Sequence, residues 1–275
     1  MNINGTLQVR AANAMRNASQ AREITSQRLA TGRRINSAKD DAAGLSISIS
    51  MTSQIMGTRQ GLRNIGDGIA LAQTAQGALS QMTETLQRMR EIAVQSANGI
   101  YANEHRVTLQ KEVTGLRDTY MDIMLSTEFN GQPLMGSRTP LPPPLNGNVW
   151  GPTKITVQTG YSSSDTIEGE FGLSFLPVFD VSTGNPSVIS NIDNALKETV
   201  SLAAQYGAFQ SRLETAAQSA MTSMVNISDA RSRISDARYD QETTDLAKSL
   251  ILENAASAMM AQANINMRNV ISLLK

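Results

Sequence analysis

Cysteine is absent from this 275-residue chain, and histidine occurs once, at His105. A disulfide framework, a thiolate zinc site, a cysteine nucleophile and a histidine-pair metal site or protease are therefore excluded. Charge of one sign is lacking too: Lys plus Arg is 24 and Asp plus Glu is 24, for a formal net charge of zero. That argues against wrapping of nucleic acid and against an acidic disordered solubiliser. No segment approaches the roughly 18 apolar residues of a membrane span, so no membrane insertion is expected. The first residues, MNINGTLQVRAANAM, lack the apolar core of a cleaved signal peptide, so a protein that leaves the cell is expected to use another route.

Proline is missing from both flanks. All 8 prolines lie between Pro133 and Pro186, which divides the chain into an N-terminal arm (1–132), a proline- and glycine-rich middle and a C-terminal arm (187–275). Phe129, Trp150, Tyr161, Phe171, Phe175 and Phe179 also gather in the middle, so the β structure is expected there.

Within the arms the apolar residues step by three and four, the signature of long helices with a narrow seam. One stripe runs through Leu7, Ala11, Ala14, Ala18, Ala21 and Ile24. A second takes in Ile65, Ile69, Ala72, Ala75, Leu79, Met82, Leu86, Met89 and Ala93, and a third Leu109, Val113, Leu116, Tyr120 and Ile123. In the C-terminal arm Ile192, Ala195, Thr199, Leu202, Tyr206, Phe209, Leu213, Ala216 and Ala220 form a fourth, followed by Leu252, Ala256, Met259, Ala263, Met267, Val270 and Leu274. A repeat near 3.5 residues makes helices wrap around one another, and the two arms are natural partners. The first and last stripes are mostly alanine and methionine. Small knobs bury little area at about 25 cal/mol per Å², against about 1–2 kcal/mol of backbone entropy per ordered residue. Residues 1–40 and 236–275 are thus expected to order only when neighbouring copies cover them.

Asn98-Gly99 reads as the turn between two helices, by way of the positive φ that both residue types tolerate, and Phe129-Asn130-Gly131 as a second turn. Residues 154–158 and 166–171 alternate in polarity on either side of a Gly- and Ser-rich loop, the pattern of a hairpin. Thr139 to Pro144 is expected to be extended and stiff.

The stretch RLATGRRINSAKDDAAGLSIS (28–48) resembles the signature of bacterial flagellin. The resemblance continues through NIGDGIALAQTAQGALSQMTETLQRMREIAVQSANG (64–99), STEFNGQPL (126–134), KITVQTG, and NISDARSRISDARYDQETTDLAKSLILENAASAMMAQANINMRNVISLLK (226–275), in the family's order. It implies a mainly α fold, a long antiparallel helical bundle or coiled coil of the N- and C-terminal arms with a small β-hairpin region between them. Residues 1–40 with 236–275 would form an inner core domain lining a filament tube, 41–135 with 187–235 an outer-core helical rod, and 136–186 a hairpin and a short surface-exposed variable region.

By the same resemblance the protein is a structural subunit, without cofactor, that polymerises into the flagellar filament used for swimming; a hook-filament junction protein is the alternative. Further partners implied are the flagellar type III export apparatus, a secretion chaperone, the filament cap, junction proteins and Toll-like receptor 5, and the location is extracellular. Candidate assembly residues are Leu7, Ala11, Ala14, Ala18 and Ile24 at one end and Met259, Ala263, Val270, Leu273 and Leu274 at the other. Arg28, Arg34, Asn36, Asp40 and Asp41 join them at the hinge between core domains. Arg88, Ile92 and Glu112 resemble the innate-receptor surface, and Ser162, Ser163 and Ser164 are candidate O-glycan acceptors.

Two dull readings compete with sharper ones. Asp40 and Asp41 could suggest an acid pair or metal site, but adjacent helical carboxylates diverge by about 100°, so surface or inter-subunit salt bridging is expected. Residues 1–39 carry seven basic side chains against Glu23; without aromatics among them, a solvated polymer surface is a better reading than a nucleic-acid-binding helix. His105 is expected on a surface turn.

Overall fold

A computed structural model of the chain describes residues 3–135, 137–140, 148–173 and 178–273. Five helices carry it: α1 (Ile3–Thr31), α2 (Ala42–Ala97), α3 (Asn103–Ser126), α4 (Ser187–Ser235) and α5 (Tyr239–Leu273). Between α3 and α4 lie three antiparallel strand pairs: β1 (Glu128–Phe129) with β2 (Gln132–Pro133), β3 (Ser137–Pro140) with β4 (Asn148–Gly151), and β5 (Thr153–Gln158) with β6 (Thr166–Phe171). The single hairpin read from the sequence is the third of these. Of the proline stretch, Thr139 and Pro140 belong to β3, and residues 141–147 lie outside the described residues.

The chain divides into two compact units, Met1–Ile55 with Val225–Lys275, and Met56–Met224; α2 and α4 contribute residues to both. The second unit holds the main apolar core. The stripe from Ile65 to Ala93 is buried along its length, with Ala72, Ala75, Met82, Leu86 and Met89 at 0% exposure or indistinguishable from it, and Ile69 alone half-buried. Opposite it Ile192, Leu202, Tyr206, Phe209 and Leu213 of α4 and Val113, Tyr120 and Met124 of α3 close the core. Tyr206 stacks on Phe171 of β6 with ring centroids 3.9 Å apart, and Phe209 meets the same ring edge-on at 5.3 Å. Its hydroxyl donates to the Leu134 carbonyl, and burial raises its pKa far above the ordinary tyrosine value. Tyr120 finds its partner in Thr199 Oγ1, 3.2 Å away, which in turn donates to the Ala195 carbonyl. Buried aromatic hydroxyls thus tie the hairpin region and α3 to α4, as a core with polar groups requires.

Two local devices set the hairpins in place. Asn130 and Gly131, both at positive φ (51° and 76°), make the two-residue turn between β1 and β2, the preference of a hairpin whose turn twist must match its strands. The loop after β5 comes close enough to α2 that a Cβ on Gly61 would stand 2.3 Å from the Thr159 carbonyl oxygen, while Asn64 Nδ2 donates to the Gln158 carbonyl at 3.0 Å. The α2–α3 turn is formed differently from expectation: neither Asn98 nor Gly99 has positive φ. Asn98 instead closes the turn by accepting from the Ile100 and Tyr101 amides.

Leu86→Ala, at a 0% exposed position, is expected to cost about 3 kcal/mol in urea unfolding, and Tyr206→Phe about 1–2 kcal/mol through the orphaned Leu134 carbonyl. Ile100→Ala, at an 88% exposed position, should change stability by less than about 0.5 kcal/mol.

Candidate assembly surfaces

In the first unit α1 and α5 run antiparallel: Gln8 bonds Asn264, Arg22 pairs with Glu253 at 3.2 Å and Arg28 with Glu242 at 3.3 Å. Their seam is narrower than the sequence stripe. On α1 the buried side chains are Ala18 and Thr25, with Ala11 half-buried a heptad earlier; on α5 they are Glu242, Ser249 and Ala256, with Ala263 half-buried a heptad later. Each helix therefore offers one line at seven-residue intervals, and the line is small or polar. Thr25 survives there by donating to the Ala21 carbonyl, Ser249 by donating to the Leu246 carbonyl, and Glu242 by its pairing with Arg28. Thr25, Glu242 and Ser249 fall outside the apolar stripes of the sequence because each is polar.

The expected stripe members divide accordingly. Ala18 is buried and Ala11 and Ala263 are half-buried, whereas Ala14 and Ala21 are exposed, Ile24 is 39% exposed and Met259 59%. Leu7, Val270 and Leu273 lie on the helices with side chains outside the described residues, and Leu274 is outside them altogether. Ile251, Leu252 and Ile265 are 68%, 51% and 51% exposed. Ala14, Ala18, Ala21, Ile24 and Leu252 line an open groove of about 650 Å³ between the two helices, with Arg28, Asp245 and Lys248 at one end.

The segment from Arg28 to Gly44 turns out to be a chain-reversal device. Gly32 (φ 68°) ends α1. From there the Arg33 backbone bridges to Asp236, Arg34 N donates to the Ser235 carbonyl at 2.8 Å, its guanidinium to the Ile234 carbonyl at 2.7 Å, and Ala237 N to the Gly32 carbonyl at 2.9 Å. The α1–α2 and α4–α5 connections are thereby tied together. Asp40 and Asp41 act first as backbone acceptors, and of the expected surface salt bridging Asp41 makes one pair, with Arg34. Asp40 Oδ2 accepts from the amides of Asn36 (3.1 Å) and Ser37 (2.9 Å) and from the Ser37 hydroxyl. Asp41 caps α2 through the Gly44 amide at 2.8 Å and lies 3.8 Å from Arg34. Asn36 Nδ2 donates to the Arg33 carbonyl.

In the second unit Arg88 forks between Glu112 (2.8 Å) and Glu91 (2.9 Å), all three exposed. These hydrogen bonds, that to Glu112 foremost, raise the arginine pKa. Ile92, expected beside them, is 1% exposed. It lies three residues beyond Met89 and joins the core seam, so it is withdrawn from the surface that Arg88 and Glu112 form. Ser163 and Ser164 are exposed and Ser162 is half-buried, its hydroxyl 3.1 Å from that of Ser164; Asp165 accepts from the Ser162 amide and holds the loop. His105 is exposed.

The Ser37 amide first, and the Asn36 amide after it, hold the Asp40 carboxyl below its ordinary value of 3.8. A depressed carboxylate stabilises the fold above its unfolded pKa and loses that contribution as pH falls through the folded value. The loop should therefore loosen only below about pH 4. Asp40→Ala should speed amide exchange at Asn36 and Ser37 already at neutral pH and remove that acid dependence, read by NMR.

Comparison with known proteins follows the same lines. Residues 3–138 match the bacterial flagellin N-terminal helical region and residues 189–274 the bacterial flagellin C-terminal helical region. A flagellar filament 30.7 kDa core protein of Treponema maltophilum is 34% identical over 257 residues, covering 90% of each chain. A flagellin of Halalkalibacterium halodurans is 35% identical over 258 residues, again covering 90% of each. The crystal structure of Bacillus cereus flagellin aligns at 27% identity over 57% of this chain and 88% of its own, with a TM-score of 0.46. The chain belongs to the bacterial flagellin family, whose members are structural filament proteins and not enzymes.

Proposed function

We propose that this flagellin polymerises by burying, between copies, the apolar surface that its terminal helix pair leaves open, and that the resulting stiff helical polymer converts motor rotation into thrust. The observation that carries this reading is the mismatch in unit one: a seam of Ala, Ser and Thr beside exposed Ile24, Ile251, Leu252, Met259 and Ile265. Side chains of this size gather on a surface where a partner covers them. A seam so thin also supports coupling of terminal ordering to assembly.

In this reading residues 1–40 and 236–275 form the inner tube, with Leu7, Val270, Leu273 and Leu274 among its packing residues. Residues 41–135 and 187–235 form the outer core, and 136–186 face solvent. Arg28, Arg34, Asn36, Asp40 and Asp41 fix the reversal between the first two layers. The subunit travels unfolded with a chaperone to the type III export apparatus, is placed beneath a cap, meets junction proteins at the hook and ends outside the cell. The Arg88–Glu112 surface is the candidate contact for Toll-like receptor 5, without Ile92, and Ser163 and Ser164 are the better-placed glycan acceptors.

Deletion of residues 260–275 tests the scheme. Heat-depolymerised protein, cooled and seeded, should give no filaments by negative-stain electron microscopy, while the urea midpoint of the second unit stays within error of the full chain. Filaments of normal length from the truncated chain would contradict it.

A further inference from the structure

The 14 methionines of the chain are unevenly protected. Met82 and Met89 are 0% exposed, Met135 1% and Met124 3%, all within the core of the second unit. Met259 is 59% exposed on α5 and lies seven residues beyond Leu252, itself 51% exposed. Seven residues are nearly two full helical turns, so the two side chains share a face. That face adjoins the seam line of Ser249, Ala256 and Ala263 and is an exposed apolar line of α5, beside the one that Ile251 and Ile265 form. Of the other exposed methionines, Met56 (65%) and Met221 (49%) belong to the second unit.

We infer that Met259 is an oxidation-sensitive site whose state controls polymerisation, the modifying species being a peroxide-class oxidant. The inference rests on the filament reading given above. The thioether sulfur gives an electron pair to a peroxide oxygen, the O–O bond breaks, and water leaves; sulfur is oxidised and peroxide reduced by two electrons, giving the sulfoxide. That change puts a strongly polar S=O where a flexible apolar side chain must be covered by a neighbouring copy, and it is reversible by sulfoxide reductases. The buried methionines of the second unit are shielded from the same reagent, so a dose that oxidises Met259 leaves the core intact. Once the polymer has formed, the neighbour that covers Met259 also protects it. An oxidised subunit is therefore excluded at the point of addition, and one already in place is spared.

The experiment treats full-length monomer with dilute hydrogen peroxide, follows seeded elongation by sedimentation, and maps added oxygen by peptide mass spectrometry. Treated parent protein should elongate at least tenfold more slowly than untreated, with oxygen gained on the Met259 peptide. Met259→Leu should elongate normally and lose most of its peroxide sensitivity, and Met259→Gln, which carries a polar group without oxidation, should elongate slowly from the start. In preformed filaments the Met259 peptide should gain oxygen at least tenfold more slowly than in monomer. Equal peroxide sensitivity of Met259→Leu, normal elongation of Met259→Gln, or equal oxidation of Met259 in filament and monomer would each overturn the inference. Absence of filaments from untreated parent protein would instead overturn the filament reading beneath it.

Discussion

The contact on which the rest depends is the seam between α1 and α5, built from Ala18, Thr25, Ser249 and Ala256 and flanked by two ion pairs, Arg22–Glu253 and Arg28–Glu242. Small side chains let two backbones approach closely but remove little apolar surface from water, so the pairing gains little of the hydrophobic free energy that usually fixes helices together. What specifies the pair instead is register. Gln8–Asn264, Arg22–Glu253 and Arg28–Glu242 each fit only one antiparallel alignment, and half-buried charge pairs discriminate between alignments better than they stabilise any one of them. The tied connections at residues 32–34 and 234–237 then hold the bases of the two helices together. The pair is aligned by polar contacts while its larger apolar side chains, Ile24, Leu252 and Met259, stay available.

The second unit follows the opposite logic. Leu, Met, Ile, Phe and Tyr fill its core, and its buried hydroxyls at Tyr120 and Tyr206 both have partners. Gln110 reinforces it by accepting from the Val181 amide at 2.7 Å and donating to the Phe179 carbonyl at 2.9 Å, which pins the segment leading into α4 onto α3. This unit has the composition of an ordinary folded domain, stable by its own burial. The contrast fits the proposed division of labour within one chain: one unit has a full apolar core, and the other leaves large apolar side chains exposed for contacts between copies.

How much of this could be read from the amino acids alone depends on which residue types carry the pattern. The α2 and α4 stripes are readable almost position by position, because large apolar residues recur at three and four often enough that the Ala and Thr between them keep the spacing. The turn at Asn130-Gly131 and the β5–β6 hairpin were readable for the same reason of strong local chemistry. The α1–α5 seam is not, since three of its five buried members are Thr25, Glu242 and Ser249, made compatible with burial by hydrogen bonds that no pattern of apolar residues reveals. Asp40 and Asp41 were noticed for their charge but act through backbone amides, a role fixed by the turn that they themselves create. Resemblance puts Ile92 on the outer surface, whereas its spacing, three residues past Met89, points into the core where it is buried.

If the terminal pair completes its burial only between copies, as proposed, its backbone amides gain protection on polymerisation. Amide hydrogen exchange along α1 and α5, compared in monomer and in filament at the same pH and temperature, tests it most directly. Weak protection is expected in the monomer, far below that of the Ile65–Ala93 stretch of α2, with an increase of at least about a hundredfold on polymerisation, equivalent to roughly 2.7 kcal/mol of added local stability. Equal protection of α1 and α5 in the two states would contradict it.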